Sequence, residues 1–410
     1  MKVGFFFEGW QSSWKARVEQ QFTPGAVESR YTIDSTGFNI DIDALIQNEV
    51  EYQEYSCKVG GNIGNDCFRY SLRKTIDTDV VYIDGDSITT NSPNDIDILI
   101  ISAANWLNEN RDNQHIVKVI KHFNKPVIIV GLGTQTINNI VPESLKVLQK
   151  PFLDTLWNIE SEILVRGNST YKVIESMGYN MDRVTIFGCP SLFLNTDINL
   201  ADKINNKLKT YQNNSTDSCK KVFYPSYFSK LSPSDKIQLD NLKRGNNYML
   251  LQTFPENLAA AFQMYHRFPK VEQSLTAWQQ HIDSELIKKM IYIENIHEQA
   301  TFLINNIDYT YGTRIHGAML SLMSELPALL IYWDDRTREL SEELCVPAMS
   351  QRRFATIVQQ GKLDTLPQFI KFRPRVFNKN RKHKANILYD TYKKYNVPLS
   401  LNVKKLADEA

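Results

Sequence analysis

An arginine and a histidine lie two residues apart in segment 309–327, where a short strand should give way through a tight turn to a helix. Arg314 and His316 are bracketed by Gly312 and Gly317. Backbone N–H groups at the start of a helix carry partial positive charge and attract anions. A guanidinium can hold a carboxylate or phosphate through two parallel hydrogen bonds, and a histidine can carry a proton near neutral pH. The alternative is structural: Arg314 would cap the turn and His316 would be a satisfied structural histidine.

The composition is that of a globular protein with a sizeable core and almost no net charge. The 410 residues are 42% hydrophobic and 23% charged, and 47 lysines and arginines against 46 aspartates and glutamates leave a net charge of +1. Nucleic-acid-binding domains usually carry a basic patch or stripe, so no nucleic-acid partner is expected. No run approaches the ~18 apolar residues of a membrane helix, so no integral membrane segment is expected either.

The residues that commonly bind metals show no metal-binding pattern. The cysteines are scattered and odd in number, at Cys57, Cys67, Cys189, Cys219 and Cys345. They argue against a disulfide framework and a zinc site, and suit a reducing cytosol. His266, His281 and His297 show no paired spacing with carboxylates. Asp334 and Asp335 could act as acid, base or cation ligand, but they also fit a helix N-cap, which is the preferred interpretation. A cytoplasmic protein without a metal ion is expected.

Continuous apolar runs alternate with amphipathic segments in both halves of the chain. This pattern predicts an α/β protein with two Rossmann-like parallel-sheet domains, each sheet covered on both faces. The predicted organisation is an N-terminal domain over 1–200, a polar linker over 201–220, a C-terminal domain over 221–370, and a basic segment with a closing helix over 371–410. The basic residues up to Lys384 are expected to form a solvated loop. Segment 254–285 is expected to supply helices of the second domain.

Ligands bind such sheets at the carboxyl ends of the strands, which makes the turns of the first domain candidates. One glycine-rich turn opens a helix and carries Gly61, Asn62, Asn65 and Asp66. Its polar side chains either cap that helix or face a ligand. Gly133 closes a near-continuous apolar strand. Arg166 closes another, where it is either exposed at the rim of the sheet or paired with an acid such as Glu160.

Four segments resemble, in the same order, those of the polysaccharide pyruvyl transferases. Residues 311–317, Tyr-Gly-Thr-Arg-Ile-His-Gly, followed by an apolar helix and a strand that begins at Pro327, resemble the family's C-terminal signature. Residues 61–66 are similar to its Gly-Asn-x-Gly-Asp segment, 125–133 to its buried strand ending in Gly-x-Gly, and 164–166 to its Val-Arg segment. The resemblance spans about residues 57 to 340.

The resemblance implies a GT-B-like fold in which the two domains face each other across a cleft. It also implies transfer of the enolpyruvyl group of phosphoenolpyruvate to two hydroxyls of a sugar, which gives a cyclic pyruvate ketal. Arg314 and Arg166 match positions that bind the donor, and His316 matches the acid/base. The other candidates for substrate binding are Gly61, Asn62, Asn65, Asp66, Gly133 and Gly317. Phosphoenolpyruvate would be a substrate rather than a cofactor, and the acceptor a glycan or a lipid-linked sugar.

Two other functions remain open from the sequence. A GT-B glycosyltransferase that uses a nucleotide sugar would place Arg314 at the diphosphate and His316 as base. A non-catalytic carbohydrate-binding or scaffold protein would lose nothing when either residue is replaced. Phosphate release from phosphoenolpyruvate that depends on a glycan acceptor separates the first function from the others. The sequence predicts no oligomeric state.

Overall fold

The computed structural model describes residues 1–6, 33–34, 37–38, 64–83, 88–135, 140–213, 219–225, 233–243, 245–252, 283–291, 293 and 295–408. Gly61 and Asn62 lie outside these ranges. Residues 254–282 of the segment 254–285, which was predicted to supply helices of the second domain, lie outside them as well. In the described part of the chain, no helix is both long enough and apolar enough to cross a membrane.

The first half of the chain builds a parallel sheet. Its strands are β1 (Val3–Phe6), β2 (Ile33–Asp34), β3 (Gly37–Phe38), β4 (Val80–Ile83), β5 (Ile98–Ser102), β6 (Val127–Leu132), β7 (Ser161–Val165) and β8 (Val184–Ile186). β2 and β3 form a two-residue antiparallel pair. The other six lie in the order β4-β1-β5-β6-β7-β8, and every neighbouring pair is parallel. β5 and β6 are buried along their whole length, as expected for strands covered on both faces.

A second parallel sheet follows. Its strands are β9 (Lys221–Tyr224), β10 (Asn247–Leu250), β11 (Met290–Ile291), β12 (Tyr309–Gly312), β13 (Ala328–Tyr332) and β14 (Ala348–Ser350). They lie in the order β11-β10-β9-β12-β13-β14. From β9 the strand order runs outward through β10 to β11, and from β12 it runs outward in the opposite direction through β13 to β14. The place between β9 and β12 where the strand order reverses is the switch point, at which such sheets usually bind ligands. The prediction of two Rossmann-like parallel sheets is confirmed.

Helices connect the strands and cover both sheets. The described helices are α1 (Asn65–Lys74), α2 (Gln114–Phe123), α3 (Glu143–Trp157), α4 (Asn168–Ser176), α5 (Leu200–Asn213), α6 (Pro233–Leu242), α7 (Ser284–Ile287), α8 (Ile296–Asn306), α9 (Ile315–Met323), α10 (Asp335–Glu343), α11 (Gln351–Gln359), α12 (Pro374–Lys394) and α13 (Leu401–Asp408). Four of them flank the candidate site: α1 and α4 from the first half, and α9 and α10 from the second.

Two polar segments are largely helical. The predicted linker 201–220 is helical up to Asn213, because α5 buries an apolar face made of Leu200, Ala201, Ile204 and Leu208. The prediction of a solvated basic loop before Lys384 was wrong, because α12 includes these residues from Pro374 onward and buries Phe377 and Arg381 fully. The Arg381 guanidinium donates to the backbone oxygens of Asn195 and Asp197, and these acceptors allow its burial.

The C-terminal segment returns to the first half of the chain. The Tyr392 hydroxyl lies 2.9 Å from Oγ1 of Thr75, and the backbone N–H of Asp77 donates to the oxygen of Pro398 at 2.8 Å. α12 also packs against α5. The closing helix predicted to pack back on a domain surface therefore packs against the first half of the chain.

Candidate functional site

A cleft of about 540 Å³ lies between the two sheets. The residues that line it follow the carboxyl ends of β5, β6 and β7 in the first sheet, and those of β10, β12 and β13 in the second. A few more come from α1. Ligands of parallel sheets bind at these strand ends, so the cleft is the candidate site in the described part of the chain.

The turn after β12 crosses the switch point and is tied to the end of β9. The Thr313 N–H donates to the oxygen of Tyr224 at 2.9 Å, and the Arg314 Nε–H donates to the oxygen of Pro225 at 3.0 Å. Gly312 has φ of +151°, a conformation that side-chain-bearing residues rarely adopt. These contacts place Arg314 in the cleft wall as the N-cap residue of α9.

His316 lies in the first turn of α9, and only 6% of its surface is exposed. Its ring packs against Phe68 with centroids 5.2 Å apart, and its Nε2 lies 3.7 Å from Sγ of Cys189. Burial lowers the pKa of His316 well below its ordinary value, and nearby guanidiniums lower it further, first Arg166 and then Arg336. The imidazole is therefore neutral at neutral pH and can accept a proton.

Arg166 follows β7 and reaches the same cleft. Its Nε donates to the oxygen of Gly131 at 2.8 Å, Nη1 to Oδ1 of Asn105 at 3.0 Å, and Nη2 to the oxygen of Ala103 at 3.4 Å. Burial lowers its pKa to about 10, which still leaves it charged at neutral pH. Arg166 lines the cleft, but it is buried rather than exposed at the rim, and none of these three acceptors is Glu160. These three acceptors are neutral, so they orient the charge without cancelling it.

The remaining predicted residues lie around Arg166 and α1. A Cβ on Gly133 would lie 2.6 Å from Oδ1 of Asn105 and 2.9 Å from Cδ of Arg166, so Gly133 makes room for this pair. Asn65 lines the cleft. Asp66 is buried, with Oδ1 at 3.9 Å from Nη1 of Arg69, and this places it behind the cleft wall. Gly317 is buried against Tyr224.

The turn after β13 supplies residues that the sequence analysis missed. Trp333 and Arg336 both line the cleft, and Trp333 is 58% exposed. The preferred interpretation of Asp334 is confirmed, because its Oδ1 accepts the Thr337 N–H at 2.7 Å as the N-cap of α10. Its Oδ2 lies 3.2 Å from Nη2 of Arg336. The sequence signal that could have identified Trp333 and Arg336 was an aromatic and a cationic residue shortly after a predicted strand.

α10 also contacts the first sheet beside Arg166. The Ser169 N–H at the start of α4 donates to Oε1 of Glu339 at 2.6 Å. A Cβ on Gly167 would lie 2.6 Å from the Glu339 carboxyl carbon, so a glycine allows this approach. The Glu339 carboxylate accepts this hydrogen bond at the N-terminus of α4. It therefore holds α10, which carries Arg336, in place relative to Arg166.

The lining of the cleft is rich in arginine. None of the described residues that line it is acidic, and five are arginines: Arg69, Arg111, Arg166, Arg314 and Arg336. Six lining residues are amides that can both donate and accept: Asn65, Asn105, Asn108, Asn110, Gln135 and Gln252. The described residues contain no cluster of three or more histidines, cysteines or acids suited to a metal ion. The arrangement can bind a small, densely charged anion beside a neutral base.

The family assignment follows from a comparison with known protein families. The family model of the polysaccharide pyruvyl transferases matches residues 32–335. The chain belongs to this family. The match covers both predicted arginines and the histidine, and it confirms the resemblance on which their roles were predicted. A search of curated proteins found no match to this pyruvyl transferase family member.

Solved structures similar to this pyruvyl transferase family member share little sequence with it. Anabaena Alr3699/HepE, in complex with UDP and glucose, is 10% identical with a TM-score of 0.41, over 80% of this chain and 84% of that one. The UDP-GlcNAc 2-epimerase from Neisseria meningitidis, bound to UDP-GlcNAc, is 12% identical with a TM-score of 0.41, over 80% and 87%. At these scores the similarity carries no argument about the reaction.

Proposed function

We propose that this protein is a ketal pyruvyltransferase. It moves the enolpyruvyl group of phosphoenolpyruvate onto two hydroxyls of a sugar in a surface polysaccharide or its precursor, and releases phosphate. The observation that carries the proposal is a cleft with five arginines, no acid among its described lining residues, and a buried neutral histidine. The family match supports the same reaction class.

The arginines suit the donor. Phosphoenolpyruvate carries a carboxylate and a phosphate close together, and such an anion needs several charged donors. Arg166 is oriented by neutral acceptors, and Arg314 stands at the N-terminus of α9, where the helix dipole adds positive potential. The same groups would stabilise the charge that develops on phosphate as it leaves.

His316 suits the proton transfers. A neutral imidazole can take the proton of the first sugar hydroxyl as its oxygen attacks C2 of the enol phosphate, and this proton can then pass from His316 to C3, which becomes a methyl group. The second hydroxyl attacks C2 and gives its proton to the regenerated imidazole, phosphate leaves with the C–O bonding electrons, and the ring of the ketal closes. This second proton can pass from His316 to the departing phosphate, so one residue can serve both steps.

The acceptor would bind at the open end of the cleft. Trp333 offers an exposed aromatic face of the kind that packs against the apolar face of a sugar ring. The amides of Asn108, Asn110 and Gln135 lie in the same cleft and can donate to and accept from hydroxyls. We therefore propose a glycan or a lipid-linked sugar as the acceptor class.

Phosphate release tests the proposal. The protein is incubated with phosphoenolpyruvate and a panel of glycans, and inorganic phosphate and the mass of each glycan are measured. We expect phosphate release that depends on one acceptor, together with a pyruvyl ketal on that acceptor. His316→Gln and Arg314→Gln should abolish turnover while their thermal unfolding resembles that of the wild type. Arg338→Gln, on α10 and paired with Asp335, is the control. Turnover of a nucleotide sugar without phosphoenolpyruvate consumption would refute the proposal in favour of a glycosyltransferase.

A further inference from the structure

A cysteine of the first half of the chain faces the candidate acid/base of the second half. Sγ of Cys189 lies 3.7 Å from Nε2 of His316, and sulfur can accept or donate a weak hydrogen bond. Cys189 is fully buried and His316 nearly so. Cys189 follows β8, whereas His316 lies in α9, so this contact bridges the two sheets.

The surroundings fix both partners in place. The Ser191 hydroxyl donates to Sγ of Cys189 at 3.2 Å, and Ser191 belongs to a short 3-10 helix, Pro190–Phe193. The imidazole ring packs against Phe68. With the ring position set, the tautomer depends on what each ring nitrogen faces. Since Nε2 faces Cys189, Nδ1 is the nitrogen that can meet a ligand in the cleft that His316 lines.

Nearby positive charge adds to this preference. The guanidiniums of Arg166, Arg314 and Arg336 act on His316 and line the same cleft. A nitrogen lone pair facing these cations is favoured over an N–H group, because the N–H group carries partial positive charge. The charge therefore supports the tautomer that a hydrogen bond to Cys189 would hold, without replacing that hydrogen bond.

We propose that Cys189 is a positioning residue whose Sγ accepts the Nε2–H of His316 and so holds the tautomer with a lone pair on Nδ1. The tautomer is a property of the protein without substrate. Its kinetic consequence rests on the proposed function: a lone pair on Nδ1 is what removal of a proton from a sugar hydroxyl requires.

Nitrogen NMR of the substrate-free protein tests the tautomer. Long-range ¹H–¹⁵N spectra are recorded with ¹⁵N-labelled histidine, and the His316 signals are identified by their loss in His316→Gln. We expect a protonated Nε2 and an unprotonated Nδ1. Cys189→Ala should give a mixture of tautomers, and Cys189→Ser, whose hydroxyl can also accept, should keep the wild-type pattern. Cys67→Ala is the matched control, because Sγ of Cys67 contacts the backbone oxygen of His316 rather than its ring.

Two results would overturn the proposal: a wild-type proton on Nδ1, or an unchanged His316 pattern in Cys189→Ala. If Cys189→Ala fails to fold, the wild-type spectrum still decides. Where an acceptor glycan is known, Cys189→Ala should lower kcat by ~10-fold with little change in the KM for phosphoenolpyruvate. If the protein shows the expected tautomer but never consumes phosphoenolpyruvate, the proposed function is contradicted. The role of Cys189 in holding the His316 tautomer then still stands.

Discussion

Gly317 lies against the ring of Tyr224, and a Cβ at this position would be 2.7 Å from both Cγ and Cδ1 of that ring. Tyr224 ends β9 and is fully buried. A Cβ on Gly312 would lie 2.6 Å from the backbone nitrogen of the same tyrosine. The two glycines that bracket Arg314 and His316 therefore both make room for Tyr224. They allow α9 to start directly at the switch point.

Gly317→Ala should destabilise the protein, because either the tyrosine ring or the first turn of α9 must shift. We expect a loss of about 1–3 kcal/mol in the free energy of unfolding, as for other overpacked cores, measured by urea denaturation. The double variant with Tyr224→Leu is the control. It should lose less stability than the sum of the two single variants. An unchanged urea midpoint in Gly317→Ala would contradict this expectation, because it would show that the contact between Gly317 and Tyr224 leaves room for a methyl group.

Arg336→Gln should raise the pKa of His316. After burial and Arg166, the Arg336 guanidinium is the next largest influence that lowers this pKa, and its removal leaves the imidazolium less repelled. The titration is followed by histidine NMR. Arg338→Gln removes a charge from the same helix and should leave the His316 titration unchanged. Equal His316 titrations in Arg336→Gln and the wild type would contradict the electrostatic account.

The stability of the protein should fall as the pH drops below about 6.5, in part because of His316. Its pKa is lowered in the folded state from an ordinary value of 6.5, so the unfolded chain binds more protons below that pH, and protonation favours unfolding. Above pH 6.5 the titration of His316 no longer lowers the stability of the folded protein. His316→Gln should therefore lose less thermal stability than the wild type between pH 7 and pH 5, roughly the range in which histidine titrates. Replacing the exposed His383 with glutamine is the control, and an equally steep loss in His316→Gln would refute the assignment.

The sequence predicted the sheets well because buried parallel strands are continuous apolar runs, as in β5 and β6. It failed at α12 because the burial of Arg381 depends on distant partners, the carbonyls of Asn195 and Asp197 that accept from it. Arg314, His316 and Arg166 could be predicted as candidates from turns at strand ends. Arg336 follows a predicted strand in the same way and was missed. Arg69 could not be predicted, because it lies inside α1 and no local spacing shows that it reaches the cleft.

Trp333→Ala should weaken acceptor binding without affecting the donor. Its indole is the large exposed apolar side chain of the described cleft, and loss of an aromatic contact of about 0.5–1.5 kcal/mol corresponds to a rise of roughly 2- to 12-fold in KM for the acceptor. The KM for phosphoenolpyruvate should stay the same, because the donor would bind at the arginines. Trp333→Phe keeps an aromatic face and should recover most of the affinity. Equal changes in both KM values would place Trp333 in the donor site, and no change in either would remove it from the acceptor site.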